Sequence, residues 1–308
     1  MKNKEIYALG IMSGTSLDGL DFSLIKSDGL KNIKVLFNHY FKFNSKMIIN
    51  IKDLILEFNN KPLKFNRKSS LFIETEKEFT DLLLKKIKIF FNKINFEFKK
   101  LSLIGVHGNT LLHNPKNKIS LQLGDFKLLS NMLKIKIVAN FRDNDIKLGG
   151  EGAPLVPISH QAMFSEKDKN IMVVNIGGIS NFSFLIGKNK LLSSDIGPGN
   201  TLIDKYCFLK FKKFFDKDGK LAKKGNLKLE IVEEWLKKKF LKKNPPYSFD
   251  NSFFKVESFA SDKINKYDIL RSLTFFSAKI ISDLRFKINS KIDYWIFTGG
   301  GVKNYTLM

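Results

Sequence analysis

The chain has 308 residues, with 53 Lys+Arg against 30 Asp+Glu, a formal charge of +23. At 43% hydrophobic with 30 Phe, it carries enough apolar material for about two domain cores, which excludes wholesale disorder. Its single cysteine, Cys207, excludes a disulfide framework and a cysteine-rich zinc cluster, and it fits a reducing cytoplasm.

In chain order, residues 6–11 predict a strand, 13–19 a tight turn and 21–25 a second strand. The opening apolar run is too short for a signal peptide or an anchor, and nowhere do about 18 apolar residues run without a charge. A third strand is predicted over 33–41, then helices over 45–58 and 69–94, where Phe72, Phe79, Leu82, Leu83, Ile87 and Phe90 hold helical spacing. Residues 101–106 predict a buried strand ending in His107-Gly108-Asn109-Thr110, followed by a strand over 119–123, a helix over 125–133 and a strand over 135–141. A glycine-rich joint over 149–154 precedes a helix near 157–164.

From Ile171 the opening pattern recurs as a strand over 171–176, a turn at Gly177-Gly178 and a strand over 180–186. Then come a strand ending at Asp195, a helix after Gly199, helices over 229–240 and 267–288, and a strand over 294–297 before Gly299-Gly300-Gly301. Two strand–glycine turn–strand units, with helices between strands in both halves, predict an α/β protein of duplicated halves. The expected division is 1–133 and 134–308.

The charge does not by itself mark a nucleic-acid site. Arg67, Arg142, Arg271 and Arg285 are the chain's four arginines, whereas groove readers and phosphate forks favour Arg over Lys. Residues 210–243 are dense in Lys around Phe214, Phe215 and Trp235. The expectation there is solvated lysines with the aromatics packed inward, ahead of a surface for nucleic acid or acidic lipid. The partners expected are thus a small molecule, with no specific nucleic acid and no membrane.

Several segments carry chemistry. Backbone N–H groups in a glycine-rich turn form a nest for phosphate oxygens. No P-loop is present, and Gly197-Pro198-Gly199 lacks the third glycine of a dinucleotide fingerprint. The turns after Ile11 and Ile176 each lead into another strand rather than a helix, which reads as phosphate hairpins or as ordinary hairpin turns. Asp195, at a strand end before a rigid turn, reads as a general base or as a turn carboxylate. His107 reads as a polar-ligand contact or a structural histidine. Arg142 reads as a carboxylate clamp or as the partner of Asp143 or Asp145.

A series of motifs makes these alternatives recognisable. Gly14-Thr15-Ser16-Leu17-Asp18-Gly19-Leu20-Asp21 resembles the nucleotide-binding signature of the anhydro-N-acetylmuramic acid kinases. His107-Gly108-Asn109-Thr110, the Gly149-Gly150-Glu151-Gly152-Ala153-Pro154 joint, Asn175-Ile176-Gly177-Gly178, Asp195-Ile196-Gly197-Pro198-Gly199-Asn200, Asp216-Lys217-Asp218-Gly219 and Gly299-Gly300-Gly301 follow in family order.

The resemblance implies two actin-like (ribonuclease H-like) domains around a nucleotide cleft. It also implies a cytoplasmic, ATP- and Mg²⁺-dependent kinase of peptidoglycan recycling. Water would open the 1,6-anhydro bridge at C1 while O6 takes the γ-phosphoryl, with Asp195 as the base. Gly14, Thr15, Ser16, Leu17, Asp18, Gly19, Leu20 and Asp21, with Asn175, Gly177 and Gly178, would hold the phosphates. Gly299, Gly300 and Gly301 would approach the adenosine, and His107 and Arg142 would serve the sugar. The resemblance also admits a homodimer.

This chain departs from the family pattern in places. Asn140-Phe141-Arg142-Asp143-Asn144-Asp145 stands where the family has Asp-Phe-Arg-Arg-Arg-Asp, which removes two arginines, and Asn109 and Glu151 each replace a Gln. Family chains also continue beyond Met308 with a strand, a Glu-bearing helix and a closing helix, so a fragment, a frameshifted product or a degenerate homologue is expected. The second functional class is accordingly an actin-like ATP-binding module without catalysis.

Overall fold

The apolar alternation at the start of the chain folds into an antiparallel meander. A computed structural model describes residues 5–14, 17–30, 32–60, 66–242, 244–247, 249 and 253–308. In it, β1 (Ile6–Met12), β2 (Gly19–Ser27) and β3 (Ile33–Lys42) pair in turn, Leu9 opposite Leu24 and Phe22 opposite His39. The period of two on β2 sends Leu20, Phe22 and Leu24 into the core and leaves Asp21 outside. Helices α1 (Ser45–Asn60) and α2 (Ser70–Ile94) follow. The Ser69 hydroxyl caps α2 by accepting the Phe72 N–H at 3.3 Å, and Phe72, Phe79, Leu83, Ile87 and Phe90 form its buried face.

Strand β4 (Leu101–Val106) lies parallel to β1. Strands β5 (Asn109–Asn114) and β6 (Ile119–Leu123) form a separate hairpin. Helix α3 (Phe126–Leu133) is capped by Asp125, which accepts the Leu128 N–H at 2.8 Å. Strand β7 (Lys136–Val138) pairs parallel with β4, and the short helix α4 (Asp143–Lys147) follows. The sheet order β3-β2-β1-β4-β7 is the ribonuclease H-like order.

The second half repeats the scheme. After α5 (Val156–Phe164), β8 (Asn170–Ile176), β9 (Ile179–Ile186) and β10 (Lys190–Pro198) form a second antiparallel meander. Helices α6 (Thr201–Phe211), α7 (Leu229–Leu236), α8 (Lys266–Ser282) and α9 (Leu284–Lys287) precede β11 (Tyr294–Thr298), which pairs parallel with β8. The order β10-β9-β8-β11 matches β3-β2-β1-β4 of the first half. Its core joins Val174, Phe182 and Phe184 of the sheet to Leu202, Tyr206, Leu270 and Phe276 of the helices.

Four sequence expectations shift. The units divide as Met1–Leu155 and Val156–Met308 rather than at 133/134, because Ile137 of β7 pairs with Ile104 of β4. The strand expected over 135–141 shrinks to β7. The helix over 267–288 divides at Asp283, and that over 229–240 stops at Leu236. Strand β5 was not anticipated, since its first residues, Asn109 and Thr110, look like turn residues.

One half-buried acid gives the second unit an expected dependence on pH. Burial, and then the neighbouring Asp216, raise the Asp204 carboxyl on α6 to about 7. Asp216 is itself held by the Leu221 and Ala222 N–H groups at 2.8 and 2.9 Å. The folded chain therefore keeps a proton that the unfolded chain loses above 3.8, so stability falls as pH rises between 3.8 and about 7. Asp204→Asn should remove this slope and be the more stable protein near neutrality, by on the order of 2–4 kcal/mol, as read from denaturation midpoints across that range.

Candidate functional site

In the second unit, the β8–β9 turn is bonded to the start of α6. The N–H groups of Gly199, Asn200 and Thr201 donate to Gly178 O, Gly177 O and Gly178 O at 2.8, 2.9 and 3.0 Å. The Asn200 amide also donates to Ile176 O and Gly177 O at 3.2 and 3.0 Å. In a trans peptide the N–H points opposite to the carbonyl. The N–H groups of Gly177 and Gly178 are therefore turned away from α6, as donors for an anion require.

The Gly299–Gly301 turn belongs to the same cluster. Strand β11 brings Thr298 beside Asn175. Gly299 has φ +88°, and a Cβ there would lie 2.4 Å from Asn175 Oδ1, while one on Gly301 would lie 2.2 Å from Ile176 Cγ2. Gly300 meets nothing within 4 Å. Asn175, Gly177, Gly178 and Gly299–Gly301, separated by more than a hundred positions in sequence, thus form one backbone-lined patch with an open face at Gly300. Ser277 on α8 supports it by donating to Gly199 O at 2.8 Å.

Asp195 sits where β10 loses register against β9, between Asp195 and Gly197. It is half-buried, and Oδ2 accepts the Phe249 N–H at 2.7 Å. Its own N–H donates to Tyr247 O at 3.0 Å, and Tyr247 N–H donates to Ser194 Oγ at 2.9 Å. A bulge is a common way to re-aim a side chain, and these bonds fix the one it re-aims here. Burial and then the Asp195 carboxylate push the Tyr247 hydroxyl up.

In the first unit, the β1–β2 turn is pinned from β5. The Asn109 amide donates to Ser13 Oγ and Gly14 O at 2.9 and 3.0 Å, and His107 N–H donates to Ile11 O at 3.0 Å. Leu17 is buried with φ 56°, a left-handed conformation uncommon for a residue with a Cβ. Asp18 O accepts the Phe43 N–H at 2.9 Å. Leu17 and Leu20 plug the core, so their side chains are turned away from any ligand, whereas Gly14, Asp18, Gly19 and Asp21 frame the turn. Burial, then Asp18 and Asp21, push the Tyr40 hydroxyl up, which places both carboxylates near that ring. Thr15 and Ser16 lie outside the described residues.

His107 and Arg142, expected separately at the sugar, are bonded to each other. His107 Nδ1 lies 2.8 Å from Gly108 O and Nε2 lies 3.0 Å from Arg142 Nη2. A carbonyl only accepts, so Nδ1 carries the proton and Nε2 accepts from the guanidinium. Burial is the main cause holding His107 below the ordinary histidine range, and Arg142 adds to it. Arg142 Nη1 donates to Gly152 O at 2.7 Å, and Gly152 N–H donates to Asp145 Oδ2 at 2.7 Å. Through these bonds Arg142 ties His107 to the glycine-rich joint, and its buried Nε–H has no hydrogen-bond partner among the described residues. Arg142→Lys, which cannot span both acceptors, should cost about 2–3 kcal/mol in chemical denaturation. The variant's His107 should also titrate closer to the ordinary histidine range by NMR.

A cavity of about 340 Å³ lies in the same unit, lined by Asn140 and Asp143 from the segment around Arg142 and by Arg67, Glu76, Gln122 and Phe126. Burial, then Asp125, raise the Glu76 carboxyl against the lowering effect of Arg67. Arg67, Glu76 and Gln122 were not singled out by sequence. The available signal was the scarcity of arginine, which marks Arg67 as it marks Arg142.

The anhydro-N-acetylmuramic acid kinase family profile matches residues 6–308. The anhydro-N-acetylmuramic acid kinase of Pelagibacter ubique is 37% identical over 315 residues, covering 98% of this chain and 81% of its own length. Those of Rhodopseudomonas palustris and Clostridioides difficile are 33% and 32% identical, each covering 98% of this chain and 82% of its own. The solved ethanolamine utilization protein EutJ of Carboxydothermus hydrogenoformans superposes at a TM-score of 0.40 and 9% identity over 100% of this chain and 80% of its own, a likeness too distant to bear on function. The matched span takes in the β1–β2 turn, the His107–Arg142 pair, the Asp195 bulge and the Gly299–Gly301 turn, and on it this chain belongs to the anhydro-N-acetylmuramic acid kinase family.

Proposed function

We propose that the chain is an ATP-dependent cytoplasmic kinase of peptidoglycan recycling. It would hydrolytically open 1,6-anhydro-N-acetylmuramic acid and phosphorylate O6, giving N-acetylmuramic acid 6-phosphate and ADP. The carrying observation is Asp195, held at a strand bulge by the Phe249 N–H, in a chain of this family.

In this reading Asp195 takes a proton from the water that attacks C1. The C1–O6 bond breaks, O6 attacks the γ-phosphorus, and the bond to ADP breaks with the electron pair leaving on the β-phosphate oxygen. The Gly177 and Gly178 N–H groups bind phosphate oxygens, and the open face at Gly300 admits adenosine. Bound Mg²⁺ supplies charge neutralisation at the phosphates. Among the described residues no group of three or more His, Cys, Asp or Glu is gathered for a metal. One or two carboxylates suffice for magnesium carried on a nucleotide.

The cavity in the first unit suits the sugar ring. Planar amides, carboxylates and Arg67 match ring hydroxyls and the amide, and Phe126 offers an apolar face. His107 and Arg142, bonded to each other beside the glycine-rich joint, would serve the sugar. The test is ADP release by the purified protein with ATP and Mg²⁺. Release that depends on 1,6-anhydro-N-acetylmuramic acid is expected, and ATP binding without sugar-dependent release would contradict the proposal.

A further inference from the structure

The aromatics of the Lys-dense segment do not all pack inward. Trp235 and Phe240 are buried as expected, but Phe208, Phe214 and Phe215 are 59%, 81% and 57% exposed and Leu209 is 42% exposed. Phe208 and Phe214 stack on each other with ring centroids 6.0 Å apart, so the outward ring is held rather than trailing. Helix α6 ends beneath them with Lys212 at φ 55° and the Lys213 N–H donating to Cys207 O at 3.3 Å. The turn is then fastened by buried Asp216, which accepts two backbone N–H groups. Four apolar side chains are thus presented, Phe208 and Leu209 from the end of α6 and Phe214 and Phe215 from a pinned turn.

The unpaired charges around them are positive, Lys210 being matched by exposed Asp262 and Lys220 by Asp218. Lys212, Lys213 and Lys217 are exposed and form no ion pair among the described residues, and the one acid between residues 208 and 217, Asp216, is buried. We propose that the end of α6 and the turn after it form a peripheral docking site for an anionic lipid surface. Phenyl rings enter the acyl boundary while lysines meet the headgroups. A two-fold contact between copies would set these lysines against themselves. A single-stranded nucleic acid would need free ring faces, and the stacking of Phe208 on Phe214 has used one face of each. This proposal goes beyond the sequence expectation, which was of no membrane partner.

The experiment is co-sedimentation of the full chain with phosphatidylcholine vesicles, with and without phosphatidylglycerol. Binding is expected with phosphatidylglycerol only, and it should weaken as salt rises. The variant Phe208→Ser/Phe214→Ser/Phe215→Ser keeps every charge and should lose roughly tenfold in binding per ring that inserts. Phe214→Trp should add a blue-shifted emission component on binding. Equal binding by the serine variant would assign the attraction to the overall charge and overturn the proposal. A concentration-dependent dimer dissolved by the same substitutions, or vesicle binding abolished by an equimolar single-stranded oligonucleotide, would overturn it as well.

Discussion

Asp195→Asn should lower sugar-dependent ADP release by about a hundred- to ten-thousandfold, the range spanned by positioned general bases. The amide oxygen of Asn can still accept the Phe249 N–H that Asp195 Oδ2 accepts at 2.7 Å, so the bulge and the loop above it stay in place. What the substitution removes is the basicity that takes a proton from water. ATP binding and the denaturation midpoint should therefore match those of the parent, and only turnover should fall. Turnover equal to the parent's would make Asp195 a turn residue, the other reading open from sequence.

The second large effect is expected at Gly199. A Cβ there would lie 2.4 Å from Gly177 O and 2.4 Å from Ser180 Oγ. Gly177 O is at the same time held by Asn200, so it cannot yield without breaking the bonds that tie the β8–β9 turn to α6. Gly199→Ala should destabilise the protein by about 2–3 kcal/mol and weaken ATP binding, because the turn that aims the Gly177 and Gly178 N–H groups is displaced. Gly300→Ala is the contrast, since its Cβ meets nothing within 4 Å. Its stability should change by less than about 1 kcal/mol. A selective loss of nucleotide affinity in that variant, read by calorimetry, would place the adenosine against Gly300.

Regular elements were legible wherever burial imposes a period. The alternation on β2 and the three-to-four spacing on α2 each have a single solution that buries the Phe and Leu side chains, and β4 and β6 fell where their apolar runs stop. The repeat of strand, glycine turn and strand likewise became two sheets of matching strand order. The unit boundary was not legible, because Ile137 looks the same whether it joins a sheet behind it or ahead of it, and only pairing with Ile104 decides.

The site was legible as a set of positions but not as a set of contacts. Asn175 and Gly299 are neighbours through the β8–β11 pairing, which no local pattern reveals. His107 and Arg142 each read as a ligand contact or as a structural residue, and no local pattern showed that they are bonded to each other. The average behaviour of Lys-rich amphipathic helices predicted buried aromatics. The turn that Asp216 fastens overrides it and leaves Phe214 outside.

The most direct measurement is mass spectrometry of the sugar formed from 1,6-anhydro-N-acetylmuramic acid and ATP in heavy-oxygen water. Water attack at C1 with transfer of the γ-phosphoryl to O6 predicts N-acetylmuramic acid 6-phosphate carrying one solvent oxygen at C1, formed in step with ADP. Unlabelled product, or ADP released at the same rate without sugar, would contradict it.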